Sequence, residues 1–131
     1  MAEKKTTVKK HKKTFKKLTH GKIFVHATFN NTIITITDLK GEVLCWSSSG
    51  NVGFKGSRKS TPYAASVAAK EAVKKAKTHG IKDVDIVVNG PGAGKESAVR
   101  SIKTEGVNIL NIKDITPTPH NGCRPRKKRR V

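Results

Sequence analysis

The feature that most constrains the fold of this chain is a change of hydrophobic period. Apolar residues recur at every second position in three short runs up to Ser48, then at helical spacing from Pro62 onward. In residues 22–29, KIFVHATF, the residues Ile23, Val25, Ala27 and Phe29 share one side, as in a half-buried strand. Asn30 and Asn31 follow as a turn, since Asn tolerates left-handed backbone, and TIITITD is a second strand rich in β-branched residues. DLKG turns the chain again into EVLCWSS. Three strands joined by tight turns predict an antiparallel meander.

After the meander, residues 47–60, SSSGNVGFKGSRKS, read as a long loop. Thr61 is placed to cap a helix whose first residue is Pro62 and whose end is marked by Gly80. Ala65, Ala68, Ala72 and Ala76 give that helix a narrow face that packs closely on a sheet, with Lys70, Lys74 and Lys77 on the other side. IKDVDIVVNG reads as a strand whose continuous apolar end suggests cover on both faces. GPGAG then leads into a second helix over 95–105, with Ala98, Val99 and Ile102 inward; Gly106 ends it, and VNILNIKDI is the fifth strand. The order predicts an α/β fold: a three-stranded antiparallel meander, then helix, strand, helix, strand. Together these give a mixed sheet with helices packed on its faces and right-handed crossovers between the last strands.

Charge separates this body from its ends. The 131 residues hold 28 Lys and Arg against nine Asp and Glu, a net charge of +19. Residues 1–17 carry eight lysines and one acid, and residues 124–130, RPRKKRR, are basic at six of seven positions. Residues 18–123 keep 14 basic and eight acidic side chains, a net +6 (14 − 8) that suits a folded domain. The reading is a disordered basic arm over 1–17, a globular domain over 18–116 and an extended basic arm over 117–131, where Pro117, Pro119 and Pro125 disfavour helix. A partner should be strongly anionic. No stretch is apolar enough to span a membrane and no secretory signal is present, which places the chain in the cytosol. Cys45 and Cys123 read as reduced thiols, and His120 with Cys123 is two ligands short of a zinc site.

Residues 89–97, NGPGAGKES, invite comparison with nucleotide-binding loops. A Walker loop needs glycine where Asn89 stands and a magnesium-binding hydroxyl where Glu96 stands. A dinucleotide fingerprint needs glycine at Lys95. Two readings survive: a phosphate grip at a helix N-terminus by Gly92, Gly94 and Lys95, or a close-packed strand-to-helix turn. In GFKGSRKS, Lys55, Arg58 and Lys59 interleave with Gly53, Gly56, Ser57 and Ser60, so the backbone approaches RNA closely while cations reach its phosphates, and Phe54 offers a base a stacking face. Arg124, Arg126, Lys127, Lys128, Arg129 and Arg130 follow an anionic track. Asn121 precedes Gly122, which leaves the next amide nitrogen unobstructed for attack on the Asn side chain, so isoaspartate is expected there. A ribonuclease-H-like enzyme would need carboxylates at the strand ends, but KIFVHATF has none and Asp38, Glu42, Asp83 and Asp85 are scattered. The chain therefore reads as no enzyme, with no cofactor, metal or small-molecule substrate.

NNTIITITD, GFKGSRKSTPYAA, NGPGAGKESAVR and TPTPHNGCRPRKKRRV together resemble the bacterial form of the small-subunit ribosomal protein eleven family, from about Lys17 to Val131. The resemblance implies an α/β domain on the platform of the small subunit, bound to 16S ribosomal RNA near its 3′ end. It implies neighbours as well: platform proteins seven and eighteen, and the messenger RNA exit region where the Shine-Dalgarno helix sits. Carried onto this sequence, the family's RNA contacts fall at Asn30 and Asn31, at Lys55, Gly56, Ser57, Arg58 and Lys59, at Gly92, Gly94 and Lys95, and from His120, Asn121 and Gly122 through Arg124 to Arg130. The family also carries an isoaspartate at the Asn-Gly pair. Arg126 departs from the family, standing where a second proline is common. The alternative function is a general nucleic-acid chaperone acting through the basic tails.

Overall fold

The computed structural model describes residues 17–131, so the arm expected over 1–17 lies, apart from Lys17, outside the described residues. Five strands form one mixed sheet: β1 His20–Ala27, β2 Thr32–Thr37, β3 Val43–Ser48, β4 Asp83–Asn89 and β5 Asn108–Asp114. Their order across the sheet is β3-β2-β1-β4-β5. β1, β2 and β3 pair antiparallel as the expected meander, while β4 lies parallel to β1 and β5 parallel to β4.

Two helices cross this sheet. α1, Pro62–Thr78, starts where Thr61 accepts a hydrogen bond from the Ala64 N–H at 3.3 Å, with proline in the first turn. Its small face is wider than the four-alanine stripe: Ala64, Ala65, Ala68, Ala69, Ala72, Val73 and Ala76 are all buried. α2, Gly94–Thr104, buries Ala98 and Ile102. The helices pack on each other, α1 over β2 and β3, α2 over β1 and β4. Register explains why they share a face. Ile23 pairs with Ile36 and Ile86, and Val25 with Ile34 and Val88, so these buried residues point the same way and join the helices in one core.

The opposite face of the sheet is differently made. The cross-strand row Trp46, Thr35, Phe24 and Val87 lies there, and Trp46 is 52% exposed. β4 accordingly alternates, with Val84, Ile86 and Val88 buried and Asp85 and Val87 half-buried, where the apolar run suggested cover on both sides. Two further expectations shift. The long loop begins later, because Ser47 and Ser48 are buried residues of β3, and it contains a short 3-10 helix, Gly56–Ser60. β1 ends at Ala27, and Phe29, expected on the buried face, is 74% exposed.

Glycine matters most at the β4–α2 turn. Gly90 has φ +98°, and a Cβ there would meet the Ala27 carbonyl oxygen at 2.1 Å. Gly41 has φ +99° with nothing within 4 Å of the same added atom. Gly41→Ala should therefore cost only the left-handed backbone penalty, about 1–2 kcal/mol, in urea unfolding. Gly90→Ala adds a backbone collision and should cost at least about 3 kcal/mol in the same measurement.

Candidate nucleic-acid interface

The sheet ends flush at one edge. Ala27 pairs with Thr32, His26 with Asn89, Ile33 with Ser48 and Val88 with Asp114. Four segments consequently leave the sheet side by side: the β1–β2 turn, the β3–α1 loop, the β4–α2 turn and the C-terminal tail. They are tied together by backbone bonds from Gly92 N–H to Ala27 O at 2.9 Å, Ser49 N–H to Thr32 O at 3.1 Å and Ile115 N–H to Val88 O at 2.9 Å. Every described residue predicted to touch RNA lies in these segments or in the first turn of α2.

The β1–β2 turn is built by Thr28. Its hydroxyl accepts the N–H of Asn30 at 3.3 Å and of Asn31 at 3.1 Å, and its own N–H reaches Asn31 O at 2.8 Å. Neither Asn adopts the expected left-handed backbone; among the described residues Asn121 is the one non-glycine with positive φ, at 73°. Asn31 uses its side-chain oxygen on the Thr32 N–H at 2.9 Å, whereas Asn30 is exposed. Asn30 is thus the residue of the pair with its side chain facing outward.

In the β3–α1 loop, the 3-10 helix runs straight into the cap of α1. Thr61 donates its hydroxyl to Arg58 O at 2.7 Å, and Ser60 donates to Ser57 O at 3.0 Å. Lys55, Gly56, Ser57 and Arg58 are exposed, and Lys59 is half-buried. The loop therefore holds its cations on a short rigid element. Phe54 packs edge-on against Tyr63, ring centres 5.9 Å apart.

Two clefts flank the 3-10 helix. One, of about 550 Å³, is lined by Phe29, Asn30, Gly56, Ser57, Lys59 and Ser60 and brings the hairpin tip to the loop. The other, of about 370 Å³, is lined by Val52, Gly53, Phe54, Lys55 and Arg58. Phe29 was missed by sequence reasoning, because its place in the period-2 pattern concealed its exposure.

The β4–α2 turn is close-packed. Gly92 and Gly94 are buried. A Cβ at Gly92 would lie 2.4 Å from Thr28 O, and one at Gly94 would lie 2.5 Å from Thr32 Oγ1 and 2.7 Å from Ala65 Cβ. Both glycines thus seat this turn against the β1–β2 turn and α1, and the Gly92 N–H is already taken. Lys95 bonds Asp114 at 3.2 Å across a groove of about 450 Å³ between α2 and β5. The Thr116 hydroxyl and N–H also donate to Asp114, and with Lys95 they lower its pKa from 3.8 to about 2.

Charge marks this edge. Segments 28–31, 49–61, 90–93 and 115–131 hold nine Lys and Arg and no Asp or Glu. The connections at the other edge, 38–42, 79–82 and 105–107, hold two basic and three acidic residues. Asp38 there does structural work, accepting the N–H groups of Lys40 and Glu42, each at 2.9 Å, and Asp85 within β4 bonds His20 at 3.0 Å. Among the described residues no group of three candidate metal ligands converges, and no helix is long and apolar enough to cross a membrane. From His120 to Arg130 the tail is exposed, without helix or strand.

The ion pair at the root of this tail has a pH signature. A carboxyl held low favours the folded contact above its ordinary range and loses it as pH falls through the folded value. The Asp114 carboxyl should titrate near pH 2 by carbon-detected NMR. Lys95→Ala should raise that midpoint only partly, since Thr116 is the larger cause.

Comparison with known proteins adds to this geometry. The family model described as ribosomal protein S11 matches residues 21–130. The chain is 58% identical over 132 residues to the small ribosomal subunit protein uS11 of Helicobacter pylori (strain Shi470), covering 100% of both. It is 55% identical over 123 residues to that of Aquifex aeolicus, covering 94% of this chain and 98% of the relative. It is also 55% identical to that of Chromobacterium violaceum over 131 residues and the whole of both chains.

Proposed function

The chain belongs to the ribosomal protein S11 family, and from that membership we propose that it is a structural, non-enzymatic constituent of the small ribosomal subunit which holds 16S ribosomal RNA against the flush edge of its sheet. The observation that carries this reading is the convergence of four segments with nine basic and no acidic residues at one edge. Phosphates neutralise cations that would otherwise repel one another, and the counterions released favour binding. Lys55, Arg58 and Lys59 are the fixed contacts, Asn30 supports them with its exposed amide, and the tail from His120 to Arg130 runs along the RNA.

Contact at the β4–α2 turn falls to Lys95, which exchanges Asp114 for a phosphate, while Gly92 and Gly94 keep the turn close enough to the hairpin for that exchange. In the subunit the protein sits on the platform near the 3′ end of the RNA. Platform proteins seven and eighteen and the messenger exit region with the Shine-Dalgarno helix are its neighbours. Asn121 isomerises to isoaspartate at its exposed Asn-Gly bond, where Asn121 and Gly122 have φ of 73° and 43°. Peptide mass together with an isoaspartate assay on native material checks this; unmodified Asn121 contradicts it.

The test of the main reading is assembly. Wild-type protein should sediment with small subunits at moderate salt, and Arg58→Ala with Lys59→Ala should reduce incorporation at least about tenfold with both tails intact. A chaperone working through its tails would instead incorporate and bind RNA unchanged by that double substitution.

A further inference from the structure

We propose that the two clefts beside Gly56–Ser60 are seats for unstacked nucleobases, so that this edge grips a single-stranded stretch of RNA in preference to a duplex. The proposal rests on the RNA-binding reading above and goes beyond it by naming what enters the clefts.

A surface that only neutralises phosphate needs cations alone. This one also pairs each cation set with an aromatic ring. Phe29 and Lys59 line one cleft, Phe54 with Lys55 and Arg58 the other. Phe29 is 74% exposed at the tip of a turn, where its apolar area is left in water until something flat covers it. The clefts, about 550 and 370 Å³, are in the range of small-molecule sites and are separated by a single 3-10 helix.

The remaining lining suits a base as well. In the first cleft the exposed Asn30 amide carries both donors and an acceptor, Ser57 adds a hydroxyl and Ser60, whose proton goes to Ser57 O, an acceptor, so the polar edge of a base finds complementary groups. The Lys59 stem passes beside Gly50, where an added Cβ would be 3.5 Å from its Cδ, and Lys59 lines the cleft with a cation for the nucleotide's phosphate. No carboxylate lines either cleft. A duplex keeps its bases stacked inside the helix and offers these rings nothing, whereas a single strand offers both a ring and a phosphate at each nucleotide.

The two contributions separate by their response to salt. Stacking releases no counterions, but each phosphate contact does. Full-length protein is titrated by fluorescence anisotropy with a single-stranded 12-nucleotide RNA of mixed sequence, and with the same strand annealed to its complement, at several salt concentrations. Phe29→Ala should weaken single-strand binding about tenfold and leave the salt slope unchanged, with Phe29→Trp restoring it. Lys59→Ala should flatten the slope by about 0.7. Phe29 lies on an exposed turn, so the variant's thermal melt should match wild type.

Binding to the single strand that Phe29→Ala does not change, or duplex binding that it weakens equally, overturns the base seats. The phosphate-binding edge survives that result provided Lys59→Ala still flattens the slope. Loss of the slope effect together with failure to sediment with subunits overturns the RNA-binding reading itself.

Discussion

The structure depends on the closeness of two turns. Gly92 donates its N–H to Ala27 O at 2.9 Å, and Gly90, Gly92 and Gly94 leave no room for a Cβ between the β4–α2 turn and the backbone and side chains around β1 and β2. This contact brings the end of β4 level with the ends of β1 and β2, and it sets the start of α2 beside α1 at Ala65. With the strand ends level, the connections after β1, β3, β4 and β5 emerge along one line. A larger residue at any of the three glycines would push α2 away and break that line.

The same alignment organises the charge. Nine cations sit in the connections at one edge and in the tail, segments that hold no acid, while Asp38 at the other edge and Asp85 in β4 serve turn and cross-strand hydrogen bonds. The rigidity of the edge has a separate source. Thr28 closes the hairpin tip, and Thr61 serves both the 3-10 helix and α1, donating to Arg58 O and accepting from Ala64 N–H. Arg58 and Lys59 are therefore presented from a fixed backbone, which reduces the ordering needed when an anion binds.

Much of the fold was legible because the responsible signals are local. The period-2 runs, the Thr61 cap, Pro62, the alanine face and Gly80 each act within a few residues, and the structure follows them. Phe29 was misread for a physical reason: alternation marks residues able to join a strand, but the ladder stops where β2 begins at Thr32, a fact set by the partner. The glycines of NGPGAGKES were ambiguous for a related reason. Close approach of a phosphate and close approach of another backbone both require the absence of a Cβ, and it is the tertiary contact at Ala27 and Thr28 that shows the second. The site residues themselves were visible as chemistry, yet their assembly at one edge comes from strand order and register, which no local pattern contains.

The central claim is that the flush edge of the sheet, whose connecting segments carry cations and no acid, is the face turned to RNA. Ultraviolet cross-linking of native small subunits, with cross-linked peptides of this chain located by mass spectrometry, tests it most directly. The account predicts that the RNA-bearing peptides come from residues 28–31, 49–61 and 115–131. Cross-links confined instead to the connections at 38–42, 79–82 and 105–107 would contradict it.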